Sequence, residues 1–285
     1  MSMIQGYYTG ASGMIAQMNR MDAVSNNLAN VNTTAYKRDV AVDRAFPQLL
    51  LRRFNDNTQV QLPLGSVDRA PVVGMLGTGV ETNEVFTVNE QGSFQQTENP
   101  FDLALEGEGY FVVDTPYGER LTRNGSFHLG PESMLVTKEG YPVMGENGPI
   151  QIKENNFVID RQGRIFQNET FARDFQRLVS VRENQWEEVG IVDVIRLEQV
   201  RQPRYLQKQG SSLLSTNENS GESLPINFNA RPVVEQGFLE TSNVNPVTEM
   251  VTMIEVNRAY EANQKVIESQ DQATGRLLNE ILRLM

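Results

Sequence analysis

Residues 1–31 read MSMIQGYYTGASGMIAQMNRMDAVSNNLANV. Within them Ile4, Tyr7, Ala11, Met14, Met18, Met21 and Leu28 recur at alternating steps of three and four, with Ser25 the one polar residue in the register. This spacing is that of a coiled-coil seam, and it predicts a long N-terminal helix that needs a partner. The other end of the chain is the obvious one. Asn245-Pro246 is a helix start, with asparagine at the N-cap and proline at the first helical position, and Glu249 stands near the positive end of the helix dipole. An apolar stripe follows through Val251, Ile254, Ala262, Val266, Ala273, Leu277 and Ile281. Val251, Ala262, Ala273 and Leu284 are spaced by eleven, which keeps a stripe straight or slightly right-handed along its helix. A helix from Pro246 to the end reaches roughly 58 Å at 1.5 Å per residue, long for one that serves a single β-domain.

The first helix is weak by propensity. Gly6, Gly10 and Gly13 each cost roughly 1 kcal/mol relative to alanine, although glycine also lets another backbone come close. The isolated segment is expected to fray. Asn26, Asn27, Asn30 and Asn32 cluster at its end. Their side chains bond nearby backbone and terminate helices, and the same amides can bond across a subunit contact.

Between the helices the pattern changes twice. Residues 41–78 carry Phe46-Pro47, Leu62-Pro63 and Ala70-Pro71 without sustained periodicity and read as an extended linker, with a short helix over Leu49, Leu50, Leu51 and Phe54. From Gly79 the period falls to two. Strands are predicted at Leu103 and Leu105, Tyr110 to Val113, Leu121, Phe127 to Leu129, Leu135 to Thr137, Ile150 to Ile152, Leu178 to Val181 and Ile191 to Leu197. Turn signals at Thr115–Gly118, Asn124-Gly125, Asn147-Gly148 and Asp160–Gly163 separate them. The expected fold is therefore α+β. A discontinuous helical, coiled-coil assembly domain (residues 1–40 with 242–285) brackets an inserted antiparallel all-β domain (79–215), with a return linker at 216–241.

Composition narrows the function. Thirty-six acidic against twenty-five basic residues give a net charge of −11, which argues against a nucleic-acid or anionic-membrane surface. Both ends are close to neutral, which suits burial against other helices, and the acidic excess lies in the middle. There is no cysteine, so no disulfide, thiolate site or cysteine nucleophile. No apolar run approaches the ~20 residues of a membrane helix, and no secretory signal peptide is visible at the start. His128 is the single histidine and sits in a predicted strand, so no histidine pair for zinc exists and no Ser–His–Asp constellation has a local signature. Glu106-Gly-Glu-Gly109 is a glycine-flanked acidic turn without calcium-loop spacing. No catalytic, cofactor or metal residue is assigned.

Three separated blocks resemble a known family. Ala11-Ser-Gly-Met14, Ser25-Asn-Asn-Leu-Ala-Asn-Val-Asn-Thr33 and Tyr36-Lys-Arg38 closely resemble the N-terminal signature of bacterial flagellar basal-body rod and hook proteins. Phe101-Asp-Leu-Ala-Leu-Glu-Gly-Glu-Gly-Tyr-Phe-Val112 and Thr122-Arg-Asn-Gly-Ser-Phe127 resemble its first β-domain motif and the hairpin after it. Gln236-Gly-Phe-Leu-Glu-Thr-Ser-Asn-Val-Asn245 and Asn257-Arg-Ala-Tyr-Glu-Ala-Asn263 resemble its C-terminal block. The resemblance implies a structural, non-enzymatic subunit of the periplasmic rod. It implies export through the flagellar type III apparatus without a cleaved signal, and helical stacking with copies of itself, other rod subunits, and the hook or distal rod. No nucleic acid, membrane insertion or cofactor is implied. The terminal-helix positions named above become the expected assembly interface: Ile4, Tyr7, Ala11, Met14, Met18, Met21, Asn26, Asn27, Leu28 and Asn30 at the front, and the Val251 to Ile281 stripe at the back. The single modest β-domain and a first helix without tryptophan point to the proximal rod, with distal rod or hook-type protein as the alternative. An oligomeric carbohydrate-binding β-domain is the rival class, favoured by any exposed aromatic cleft. One departure stands out. The family usually has glycine then phenylalanine where this chain has Ala35-Tyr36, and a left-handed turn there is strained with alanine.

Overall fold

A computed structural model describes residues 2–52, 59–62, 65–68, 72–168, 189–210, 212–227 and 230–284. Phe54, Pro63, the Ala70-Pro71 signal and the predicted strand at Leu178 to Val181 lie outside the described residues. The two helices form as the periodicity requires: α1 spans Ser2–Ala29 and α2 spans Pro246–Leu284. Everything regular between them, among the described residues, is antiparallel β-structure apart from two short 3-10 turns.

The chain divides into two compact units, 1–26 with 39–86 and 247–285, and 27–38 with 87–246. In the first unit, Asp39–Ala45 pairs with Val80–Thr87. Leu49–Arg52 pairs with Val72–Leu76, and Gln59–Leu62 with Gly65–Asp68. The expected short helix over Leu49 to Leu51 is therefore a strand, and the described residues of 41–78 carry paired strands rather than extended linker. The physical reason is visible in the burial. Leu49, Leu50, Leu51, Val72, Val73 and Met75 are all exposed, so this two-stranded ladder buries neither face and its sequence lacks the alternation by which strands are read.

The second unit is built on a six-stranded sheet in the order Gln207–Gln209, Leu213–Ser215, Gly118–Thr122, Tyr110–Thr115, Leu197–Val200, Ser223–Pro225. A three-stranded sheet, Phe157–Ile159, Arg164–Asn168 and Val189–Val194, stands beside it in the same unit. The predicted return linker contributes strands of its own: Val233–Gln236 pairs with Leu103–Glu106, and Phe238–Glu240 with Phe94–Gln96. The core gathers Leu103, Leu105, Phe111, Phe127, Ile165, Ile195 and Leu197, with the Phe111 and Phe127 rings edge to face at 5.2 Å. Tyr110, Phe111 and Phe127 are thus core residues, not the wall of a carbohydrate cleft.

Of the predicted turns, Thr115–Gly118 closes a hairpin, with Gly118 at φ +96°. Gly163 closes another at φ +76°, its N–H bonding Asp160 O at 2.8 Å. Asn124-Gly125 is no such turn. Gly125 lies edge-on to Leu103, and Leu103 N–H donates to its carbonyl at 3.0 Å. Here glycine serves close approach rather than a left-handed backbone.

Candidate functional site: the helix faces and the junction of the β-unit

In the first unit α1 and α2 meet, but not along the predicted seam. The contact runs through the three glycines. A Cβ on Gly6 would meet the Gln270 amide, one on Gly10 would stand 2.9 Å from Ile267 Cγ1, and one on Gly13 2.9 Å from Asn263 Nδ2. Residues 263, 267 and 270 are one face of α2 at helical spacing, so a smooth glycine groove on α1 receives three side chains from its neighbour. The helix cost of these glycines is thereby offset by close packing. Ala16, also buried, continues the groove. Asn19 Nδ2 donates to Thr82 Oγ1 at 3.1 Å, and Ser12 Oγ accepts from Val80 N–H at 3.3 Å, tying α1 to the 80–87 strand.

The seam positions are accordingly turned elsewhere. Ala11 and Met18 are exposed, and Tyr7, Met14, Met21 and Leu28 are half-buried. On α2, Val251, Ile254, Ala262, Val266, Ala273 and Leu277 are all exposed. The side chains of Ile4 and Ile281 lie outside the description. Within one chain the structure does not bring the two stripes together. Ile15 at 57 % and Leu278 at 57 % exposure extend the apolar surface they leave. The asparagines divide. Asn26 is exposed, whereas Asn27 is buried and accepts from the Tyr36 hydroxyl at 3.4 Å. Asn30 accepts from Thr33 Oγ1 at 3.2 Å, so these two cap the helix end.

The second unit holds what sequence reasoning missed. Glu240, 2 % exposed, accepts from Lys37 Nζ at 2.5 Å, from Gly92 N–H at 2.9 Å and from Arg123 Nε at 2.8 Å. Lys37 also donates to Glu90 O at 2.7 Å. Arg123 also donates through its two terminal nitrogens to the carbonyls of Leu105 (2.8 Å), Gly107 (2.6 Å) and Gly109 (2.5 Å). The glycine-flanked acidic turn at 106–109 therefore offers its carbonyls to a cation the protein itself supplies. Asn243 closes the ring. Its side chain accepts from Arg38 N–H at 2.8 Å and donates to Val88 O at 2.9 Å, and its own N–H reaches Tyr36 O at 3.2 Å. The sequence holds no local signal for this site: Lys37 stands in the charged run Lys37-Arg38-Asp39, Arg123 follows Thr122, Glu240 follows Phe238-Leu239, and 203 residues separate Lys37 from Glu240.

Burial disfavours charge on both Lys37 and Glu240. At Glu240 it is outweighed by the Arg123 and Lys37 charges and their hydrogen bonds, which hold the carboxyl below the usual glutamate range. At Lys37 the shared carboxylate does not fully offset burial, and the ammonium sits below its usual range. A carboxylate with a depressed folded-state pKa binds fewer protons folded than unfolded. Its stabilisation is complete above the ordinary glutamate range and is lost as pH falls through the depressed value. Glu90 is the other titratable group whose charge acts on Lys37, and burial pushes the neighbouring Tyr110 phenol up to about 12, so it stays neutral throughout an acid titration. The melting temperature of the β-unit is expected to fall on acidification below that range, and Glu240→Gln is expected to melt lower at neutral pH but with a flatter acid limb. An unchanged acid limb in the variant contradicts this assignment.

Ala35 adopts φ +56°, the left-handed conformation expected from its place in the motif, and its N–H donates to Glu240 O at 2.8 Å. An alanine there costs about 1–2 kcal/mol, and replacing it with glycine returns some of that as unfolded-chain entropy. Ala35→Gly is expected to stabilise the β-unit by up to about 1 kcal/mol and Ala35→Val to destabilise it, read as opposite shifts in melting temperature. Among the described residues no group of three His, Cys, Asp or Glu could hold a metal ion, and no helix is long and apolar enough to cross a membrane.

Two terminal helices around an inserted antiparallel β-domain define an α+β structural subunit, with three sequence blocks closing on one buried triad. Comparison with known proteins makes this specific. The family model described as flagella basal body rod protein matches residues 8–37. That of the flagellar hook protein FlgE/F/G D1 domain matches 104–167, and that of the flagellar basal body rod FlgEFG protein C-terminal matches 235–280. Lys37, Arg123 and Glu240 come one from each matched segment. The chain is 33 % identical to the flagellar basal-body rod protein FlgG of Buchnera aphidicola subsp. Schizaphis graminum, over 96 % of this chain and 99 % of that protein. It is 32 % identical to the flagellar hook-basal body complex protein FlhO of Bacillus subtilis, over 98 % and 99 %. With FlgG of Borreliella burgdorferi it shares 31 % identity over 96 % and 97 %. The chain belongs to the flagellar basal-body rod protein family and is a structural subunit of the rod in the flagellar basal body.

Proposed function

We propose that this subunit polymerises helically as part of the drive shaft between motor and hook, its terminal helices packing against those of neighbouring copies and of other rod subunits. The observation that carries the reading is the apolar row on α2, Val251, Ile254, Val266, Leu277 and Leu278, exposed in the single chain while α1 is held through its glycines. A row this long on a soluble surface is an interaction site. The predicted α1 seam, with Met18 and Ile15, supplies a second one. Polymerisation through the helices leaves the β-unit outside the core contact and asks no catalysis, metal or cofactor of it. Export through the flagellar type III apparatus without a cleaved signal follows from the same reading. The lean toward the proximal rod rests on the first helix's lack of tryptophan, the chain's only one being Trp186, and on the single modest β-domain. Tracing this chain in a cryo-EM map of the intact basal body tests all of it. The reading requires the α2 row to be covered by neighbouring subunits, and a map that leaves that row facing solvent sinks it.

A further inference from the structure

The buried triad is unbalanced. Two cations share one carboxylate, and the surplus positive charge is spread over the carbonyls of Glu90, Leu105, Gly107 and Gly109. Each cation reaches a different limb of the unit. Lys37 ties the 35–38 segment to 88–92, where Val88 N–H donates to Arg38 O at 2.9 Å and Lys208 Nζ to Lys37 O at 2.7 Å. Arg123 ties the 105–109 loop. Glu240 bonds both cations, and through Gly92 N–H it also holds the end of the 88–92 limb. Gln91 is a neutral second link, its side chain donating to Leu105 O at 2.8 Å and accepting from Gly107 N–H at 3.2 Å. The second unit runs over residues 27–38 and 87–246, and three of its four ends, at Arg38, Thr87 and Pro246, lie within a few residues of this cluster in the sequence. The neighbouring ladder of Gly118–Thr122, Tyr110–Thr115 and Leu197–Val200 is complete without any of the three charges.

We infer that Glu240 is the charged lock on the junction of the β-unit: beside the neutral Gln91 link, one carboxylate holds the cations of both limbs, and its neutralisation loosens both while the core stays folded. Each cation is then a positioning residue for its own limb. Removing Lys37 leaves a balanced Arg123–Glu240 pair, and removing Arg123 leaves a balanced Lys37–Glu240 pair, so neither single loss strands the carboxylate. The inference stands on the second unit alone and does not rest on the polymerisation reading.

Hydrogen exchange followed by mass spectrometry on the full chain tests it. Glu240→Gln keeps the shape and removes the charge, and it is expected to speed exchange at least tenfold at Ala35 to Arg38, Val88 to Gly92 and Gly107 to Gly109. Lys37→Met is expected to speed only the first two segments, and Arg123→Met only the third. Amides of Phe111 to Val113 and of Leu197 are expected to speed up only by the global stability lost in the melt, and by clearly less than the junction segments in every variant. Parent-like exchange at Gly92 in Glu240→Gln overturns the inference. So does core exchange that rises together with the junction, or a variant that fails to fold, because the triad would then be ordinary core stability. Identical limb patterns in Lys37→Met and Arg123→Met overturn the two-limb assignment in the same way.

Discussion

Ile254→Glu and Leu277→Glu are each expected to abolish motility and rod assembly while leaving the free subunit folded. Ile254 is 52 % and Leu277 45 % exposed in the single chain, so a glutamate at either place reaches water and costs the monomer within about 0.5 kcal/mol. Glutamate is also among the better helix formers, so α2 itself persists. The cost falls on assembly. A carboxylate trapped in an apolar contact without a partner costs several kcal/mol, and about 3 kcal/mol already weakens a contact more than a hundredfold. In a polymer each added subunit repeats the fault. The measurement is complementation of a deletion strain, scored by swimming and by electron microscopy of basal bodies, beside circular dichroism and melting of the purified variants. Tyr117→Ala, at a hairpin tip where the ring is 82 % exposed, is the matched control and is expected to swim normally. Normal rods from both glutamate variants would show that the α2 row is not an assembly surface.

The parts of this molecule that were legible in its sequence are those governed by local periodicity. The helix start at Asn245-Pro246, the long apolar stripes, the strands at 103–106 and 110–115, and the hairpin closing at Gly118 all follow from neighbours a few residues apart. Periodicity identifies an apolar face but not what covers it. The seam from Tyr7 to Leu28 was read as the contact with α2, and the glycine face took that role, because a groove of Gly6, Gly10 and Gly13 admits another helix more closely than a row of methionines does. The 49–76 hairpins were read as linker because apolar residues exposed on both faces do not alternate. The buried triad was illegible for a different reason. Three charges in three distant segments carry no local pattern, and only the fold shows that one carboxylate serves two cations.

Gly125 is the position where a single added carbon is expected to do the most harm. A Cβ there would lie 1.6 Å from Leu103 O, an overlap with backbone that no rotamer relieves. Leu103 cannot retreat easily. Its own N–H donates to Gly125 O, its strand is paired on the other side with Val233–Gln236, and its side chain is buried with Leu105 and Phe127. Relief therefore requires the 103–106 strand to move, breaking a backbone hydrogen bond and loosening the core at once. Overpacking and lost core contact together place Gly125→Ala at about 3–5 kcal/mol of destabilisation. Gly140→Ala isolates the alternative explanation. Gly140 has φ +88° with nothing within 4 Å of the added Cβ, so its cost is backbone strain alone, about 1–2 kcal/mol. Urea unfolding of the two variants followed by circular dichroism separates them. The midpoint is expected to fall by more than about 1 M for Gly125→Ala and by clearly less for Gly140→Ala, given slopes of about 1–3 kcal/mol/M. Equal shifts would mean that Gly125 is retained for its backbone freedom, and the edge-on contact with Leu103 would lose its place in the account of this fold.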